Sequence, residues 1–369
     1  MANNLAKAAE VAFEEFVEGY EADCVVSKEV QTRYPDATTM QRAGDTEYLS
    51  QDFGATVVTG LDISAASDTD VIDRKVPLTY RQPDNVRFSL DAKEERDPRY
   101  MKEMGKAAST RLAAEVENNL TATIAARAGI VIKKVGAFAW TDGAMAEAQL
   151  ISVGAGNGVD KKLFINPMDY LAVSADLGNK AYMGDLSKSA YERSQIPNIA
   201  GFRTFRSDQV ANVTQVGTVA STVVSGASQA LTVAAMAGDV IQDNRQMTLV
   251  TSGANVANIK AGDAFTLPTV FKVHNISKAP TAQLMTFRVL ANTAGALTIT
   301  PAIITSGPYQ NVTNSPANGA ALTFLNTVTA PANTFWTKDA AVLSYGKLAF
   351  PTDAGAKVMK DYDGKLMLM

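Results

Sequence analysis

The sequence predicts an α+β protein: a mixed α/β body that carries a projecting hairpin and is interrupted by an all-β unit. Three observations predict it. A long helical pattern covers residues 97–129, strand-and-turn patterns precede it, and charge thins out sharply between Ala211 and Thr337 before returning at Lys338 and Asp339. At 369 residues the chain is longer than one hydrophobic core ordinarily serves, so two or three domains are expected.

Residues 2–30 read as a helix. Leu5, Ala9, Ala12, Phe13, Phe16 and Val17 recur at helical spacing, with Glu10, Glu14, Glu15 and Glu18 interleaved. Such a helix is marginal alone, so its apolar stripe is expected to dock, on a neighbouring subunit or elsewhere. From Thr46 to Leu90 the pattern changes to "TEYLSQ", "ATVVTG", "VIDRKVPLTY" and "NVRFSL" around a polar "LDISAASDTD". Alternation in Val76, Leu78 and Tyr80, and in Val86, Phe88 and Leu90, reads as strands of a long hairpin with a polar tip. An arm of that kind buries too little surface by itself and needs a partner.

The long helix has Asp97 as N-cap and Pro98 at its first position. Met101, Met104, Ala108, Leu112, Val116, Leu120 and Ile124 supply one apolar stripe, and Gly129 the stop. At 1.5 Å per residue it makes a rod roughly 45 Å long, a spine on which other parts rest. Residues 130–208 read as mixed α/β, with "KKLFINPMDYLAVSADL" as strand, Asn166-Pro167 turn and helix.

In the charge-poor territory the charged side chains are Asp239, Asp243, Arg245, Lys260, Asp263, Lys272, Lys278 and Arg288. The pieces "QMTLVTS", "DAFTLPTVFKV", "LMTFRVLAN" and "ALTITPAI", punctuated by Gly, Asn and Pro, predict a barrel or sandwich. Phe265, Leu267, Val270, Phe271, Val273, Leu284, Phe287, Val289, Leu297 and Ile299 are the residues expected to fill it. Two sharp compositional edges mark a domain inserted into another. Within it "PAIITSGPYQNVTNSPANGAAL", Pro301–Leu322, holds no charged residue and is expected to form a surface for other copies of the chain.

Little in the sequence can catalyse. His274 in "FKVHNISK" falls at an alternating position of a strand, and an ordinary strand residue outweighs a catalytic one there. One His and one Cys, His274 and Cys24, do not make a typical zinc or copper site, and nothing places them together. Cys24 reads as a small, half-buried hydrophobe. Asp91, Glu94, Glu95 and Asp97 precede a helix start among Lys93 and Arg96, which fits a solvated N-terminus better than a hydrolytic carboxylate pair. "GAGNG" at Gly154–Gly158 lacks the Lys-Ser/Thr of a phosphate loop, and "KAGDAF" at Lys260–Phe265 reads as a turn feeding a strand. Neither catalytic, metal nor cofactor-binding residues are expected. A net charge of −4 and a pI near 5.3 argue against a dedicated nucleic-acid clamp. No run of about 18 apolar residues would span a membrane. The N-terminus has acids where a signal peptide needs an apolar run, so folding in a reducing cytoplasm is expected.

A series of short words along the chain resembles one family: the major capsid (coat) proteins of tailed double-stranded-DNA phages, of the short-tailed Salmonella podovirus type. They are "MQR" (Met40–Arg42), "GLDIS" (Gly60–Ser64), "PDN" (Pro83–Asn85), "NPMDY" (Asn166–Tyr170), "AYER" (Ala190–Arg193), "AGF" (Ala200–Phe202), "QDNRQMTL" (Gln242–Leu249), "KAGDAF", "ITPAI" (Ile299–Ile303) and "FW" (Phe335-Trp336). Their shared order covers roughly residues 40–340. The resemblance implies the tailed-phage capsid fold of the Hong Kong 97 type with an inserted telokin-like β-barrel. It divides the chain into an N-terminal arm (1–45), an extended β-hairpin loop (46–90) and a peripheral domain with the spine helix (91–136). An axial domain (137–214), the inserted barrel (215–331) and an axial return (332–369) follow.

The resemblance further implies self-assembly into hexamers and pentamers of an icosahedral shell, made in the host cytoplasm with scaffolding protein and portal as partners. The shell would enclose double-stranded DNA without reading its sequence. A loop of the inserted domain would reach an adjacent capsomer; the matching segment is Ala234–Arg245, with Asp239, Asp243, Asn244 and Arg245 as the contact residues. That loop is short and charge-poor for the family. The family also continues for several strands after Trp336, whereas this chain stops at Met369 within a strand-like "KLMLM". Either the sequence is a portion of a longer chain or its sheet closes differently. Two alternatives stand beside the capsid reading: an encapsulin-like compartment shell, and, from another class, a carbohydrate-binding or hydrolytic protein with a β module.

Overall fold

An alanine- and glutamate-rich opening favours helix, and α1 spans Ala2–Asp23. A 3-10 turn at Ser27–Glu29 leads to strand β1 (Gln31–Arg33). Strands β2 (Thr46–Ser50) and β3 (Lys75–Thr79) form the base of the hairpin, and α2 spans Pro98–Arg127. Then come α3 (Trp140–Val153), β4 (Lys161–Ile165), α4 (Pro167–Gly178), β5 (Asn198–Ile199), β6 (Phe202–Arg206) and β7 (Asn212–Val213). The β-rich territory holds β8 (Ala220–Val224), β9 (Met247–Ala254), β10 (Ala264–Val273), β11 (Pro280–Thr293), β12 (Ala296–Thr300) and β13 (Thr323–Phe324). After it lie β14 (Ala330–Pro331), β15 (Thr334–Thr337), β16 (Val342–Ser344), β17 (Lys360–Tyr362) and β18 (Leu366–Leu368). This computed structural model describes residues 2–34, 43–61, 64, 72–89, 91, 94, 97–134, 136–155, 158–178, 196, 198–234, 243–337, 339–346, 360–362 and 366–368. "MQR", "AYER", Leu90, Glu95, Asp239 and most of the polar hairpin tip lie outside them. Two compact units emerge: Met1–Glu47, Leu78–Thr121 and Lys338–Met369 form the first, Tyr48–Pro77 and Ala122–Thr337 the second.

In the first unit α1 lies along α2. Phe13, Phe16, Tyr20 and Cys24 are buried with Ala113, flanked by Val17, Ala108 and Leu112. The spine's most buried line is Met101, Gly105, Ser109, Ala113, Glu117 and Thr121, at four-residue spacing. The expected stripe of Met104, Ala108, Leu112, Val116 and Leu120 is only half-buried. The shift has a steric cause, since small residues let two helices approach closely. A Cβ on Gly105 would lie 2.5 Å from the Ala12 carbonyl oxygen, and one on Gly19 would strike Ser109. Asp97 caps α2 as expected, its carboxylate accepting from the Arg99 amide at 3.0 Å. Where α1 ends, buried Glu117 of α2 accepts from two successive backbone amides, Val26 at 2.6 Å and Ser27 at 2.8 Å. The chain is thereby turned into β1, which pairs in parallel with β16. Tyr34 stacks on Tyr345 at 6.1 Å beside that ladder.

β2 pairs with β3, and the ladder runs on through the Gln51 amide to the Arg74 carbonyl at 2.9 Å. The expected strands at "ATVVTG" and across residues 85–89 are irregular instead. A two-stranded ribbon has no third strand or packed face to hold it, so alternation alone does not keep it regular.

In the second unit β15, β4, β6 and β5 form a mixed sheet in that order. Phe164 of β4 is stacked between Phe205 at 4.9 Å and Trp336 at 4.5 Å. Ala146 and Leu150 of α3 and Tyr170, Val173 and Leu177 of α4 share a core with Leu163, Ile165 and Phe202 of this sheet. The Asn-Pro turn fits its sequence reading. The Asn166 side-chain oxygen accepts from the Met168 amide at 2.9 Å, and Asn333 ties the turn to β15's approach by accepting from the Asn166 amide at 2.9 Å.

The β-rich territory is one sheet ordered β13-β10-β11-β12-β9-β8, with every pairing antiparallel. Bridging of Val223 to Ala321, with the Val224 amide on the Ala320 carbonyl at 2.9 Å, brings the edge strand β8 back to the segment entering β13 and closes a barrel. Phe265, Leu267, Val270, Phe287, Val289, Leu297 and Ile299 fill its interior as expected. Phe271 and Leu284 do not; they pair across β10 and β11 away from the core. Register shifts on either side of Phe271, next to Thr269 with φ 65°, break the alternation that placed them inside. The neutral segment 301–322 is also more internal than expected: Ala302, Ile303, Ile304, Val312 and Leu322 are buried. Its lack of charge serves the barrel's core as much as its surface.

Candidate assembly surfaces

Of the four residues expected at the contact loop, the structure describes three. Asp243 and Arg245 form a two-point ion pair, with Arg245 Nε 2.8 Å from Oδ1 and Nη2 2.7 Å from Oδ2. Burial opposes ionisation of Asp243, but these bonds from Arg245 outweigh it and hold the carboxyl below its ordinary range. The Arg245 carbonyl accepts from the Ala302 amide at 2.9 Å, fixing the pair to the end of β12. Asn244 points inward, donating to the Ala234 carbonyl at 3.1 Å. Arg127, the last residue of α2, has its basicity lowered by burial and then by the Arg245 charge, with Asp243 acting the other way. The sequence did not single out Arg127, because nothing in a helical pattern says what its end meets.

The groups with reactive chemistry have structural work. His274 starts the turn after β10, off the strand on which its alternation placed it, and its Nδ1 accepts from the Ile276 and Ser277 amides at 3.3 and 3.1 Å. Cys24 is buried, and burial pushes its thiol up, away from the reactive thiolate. Among the described residues no cluster of three or more His, Cys, Asp or Glu could hold a metal ion. Among them, too, no helix is long and apolar enough to cross a membrane.

Lys272 is a deeply buried cation. It is 2% exposed and donates to Gln149 Oε1 at 3.3 Å, and burial lowers its pKa from 10.5 to about 8. Below about pH 8 the folded chain carries the buried charge, and between that value and 10.5 the unfolded chain binds a proton the folded one has shed. Stability due to this group therefore rises with pH across that window. Urea titrations at several pH values should show the rise in the wild type and its loss in Lys272→Met, with the variant also the more stable at pH 7.

The arm presents apolar side chains to solvent. Val57 and Leu61 are fully exposed, Phe53 is mostly so, and Tyr48 and Val58 are a little under half exposed. At its root Tyr309, from the neutral segment of the barrel, accepts from the Gly54 amide at 3.0 Å, and the Arg74 guanidinium lies 3.7 Å from its ring centroid. Sequence reasoning missed this junction, since an isolated Tyr in a turn-rich stretch carries no periodic signal.

An arm with exposed apolar side chains, a spine bearing a docked helix, and a closed barrel spliced into an α/β body suit a structural subunit that associates with others. A family model described as "P22 coat protein - gene protein 5" matches residues 1–363, and the chain belongs to that family. It is a structural major capsid protein of a tailed phage, with the tailed-phage capsid fold; it self-assembles into a capsid and is a component of the virion. Solved structures similar to it include the "CUS-3 coat protein I-domain", 38% identical with a TM-score of 0.24, covering 30% of this chain and 99% of that one. Another is the "virus-like particle from Pyrococcus furiosus", 11% identical with a TM-score of 0.33, covering 79% and 92%. A third is the capsid of "Cyanophage P-SCSP1u", 11% identical with a TM-score of 0.36, covering 82% and 88%.

Proposed function

We propose that this subunit forms hexamers and pentamers of an icosahedral shell, and that the hairpin arm makes the principal contact by lying on a neighbouring copy. The observation that carries this reading is the arm's run of exposed apolar residues, Phe53, Val57, Val58 and Leu61, on a ribbon with no core of its own. The acidic balance of the chain suits a shell that encloses double-stranded DNA without reading its sequence. Scaffolding protein and portal are the partners that family membership suggests, with assembly in the host cytoplasm and no catalytic step by this chain. The Asp243–Arg245 pair, together with Asn244 and Asp239, is the proposed contact with an adjacent capsomer. The proposed division is arm 1–45, hairpin 46–90, spine region 91–136, axial parts 137–214 and 332–369, and barrel 215–331.

Val57→Asp tests the arm. A charge at a fully exposed site costs the folded subunit almost nothing, but it becomes an unpaired buried charge once a neighbour covers it. The variant should match the wild type in thermal transition and fail to form particles. Particles at wild-type yield would remove the arm from the contact.

A further inference from the structure

Tyr309 joins the barrel to both legs of the arm, and we propose that it is the positioning residue that sets the direction in which the arm meets a second copy of this chain. The proposal rests on the reading that the arm lies on a neighbouring subunit. It goes further by placing control of that contact in the inserted barrel of the same chain.

The geometry is that of a clamp. On the outgoing leg the Gly54 amide donates to the Tyr309 hydroxyl at 3.0 Å. The same hydroxyl reaches the Ile72 carbonyl on the returning leg at 3.5 Å. The Arg74 guanidinium lies 3.7 Å from the ring centroid, and its Nη2 donates across the arm to the Asp52 carbonyl at 3.1 Å. Arg74 Nε is buried without a hydrogen-bond partner, as a guanidinium laid against a ring would leave it. Gly54 allows the close approach: a Cβ there would lie 2.9 Å from both Pro308 Cβ and Tyr309 Cε1 and 3.2 Å from the Pro308 carbonyl oxygen. Both legs are thus held by one side chain from the neutral segment, just beyond the last ladder bond between Gln51 and Arg74.

The position of the clamp gives it leverage. From Gly54 to Leu61 is seven residues of irregular chain, which reaches at most about 23 Å at roughly 3.3 Å per residue. A swing of about 10° at the clamp would carry Leu61 by up to about 4 Å, on the order of one residue step along a strand. Apolar contacts that must seat on another copy depend on that angle. No carboxylate in residues 301–322 competes with the ring for Arg74, and the charge the barrel brings beside it is a cation, Lys278, whose Nζ donates to the Gln310 carbonyl at 3.1 Å.

Hydrogen exchange on the soluble subunit, followed by electron microscopy of assembled particles, tests the clamp in Tyr309→Ala, Tyr309→Phe and Arg74→Ala. Tyr309→Ala should leave the barrel's protected core amides unchanged and speed exchange of the Gly54 amide about tenfold or more. It should yield open or irregular particles where the wild type closes. Tyr309→Phe keeps the ring beneath Arg74 and loses the hydroxyl, so the Gly54 amide should speed up with a milder assembly defect. Arg74→Ala lies outside the barrel and serves if Tyr309→Ala does not fold; it should reproduce the irregular particles. Unchanged Gly54 exchange, or normal closed shells despite faster exchange, overturns the clamp. A wild-type chain that forms no particles contradicts the reading of function instead, and the exchange result then stands by itself.

Discussion

Glu117→Ala is expected to weaken the first unit by about 2–4 kcal/mol, because two backbone amides would lose a charged acceptor at a buried site. Glu117 is 3% exposed and receives the Val26 and Ser27 amides at 2.6 and 2.8 Å. No other acceptor for either amide is found among the described residues. Glu117→Gln keeps one oxygen but turns an NH2 group towards a second donor, so it should recover only part of the loss. Urea unfolding gives the energy, and limited proteolysis gives the place, with new cleavage expected between α1 and β1. Unfolding at the wild-type urea concentration by Glu117→Ala would mean that the carboxylate is not what turns the arm.

Phe287→Ala should cost about 3–5 kcal/mol, the range for deleting a fully buried aromatic ring. Phe287 is completely buried in the barrel, 5.6 Å from Phe265 between ring centroids. We expect the segment 215–331 to fold alone with a cooperative transition, which lets the loss be read without the rest of the chain. Its 117 residues exceed the roughly 70–80 below which a single core seldom suffices. Leu284→Ala, at a position 36% exposed, is the comparison and should change little. A segment with no cooperative transition would show that the barrel needs the α/β body to fold.

Much of this molecule was legible because periodicity and composition report local structure faithfully. Asp97, the Asn166-Pro167 turn and the barrel residues Phe265, Phe287 and Ile299 were placed by spacing and turn chemistry alone. The spine's buried line was not, since Gly105, Ser109 and Ala113 look unremarkable to a hydrophobicity pattern and matter only because α1 must come close. Phe271 and Leu284 were misplaced because an irregularity in register leaves no mark in the alternation of residue types. The extended strands expected at 55–60 and 85–89 failed for want of a third strand. Contacts between residues far apart in the chain, Glu117 with Val26 and Tyr309 with Gly54, leave no spacing to detect. The proposed contact residues Asp243, Asn244 and Arg245 were named from resemblance rather than from chemistry, and Arg127 and Tyr309 stood out only once the chain was folded.

This chain is expected to build a closed shell from copies of itself. Electron microscopy of the purified protein across a concentration series tests it most directly, with sedimentation velocity on the same samples. Above a concentration threshold the subunits should sediment as large particles with hexameric and pentameric capsomers. Protein that sediments as a monomer or small oligomer at every concentration, with and without co-expressed scaffolding protein, would contradict it.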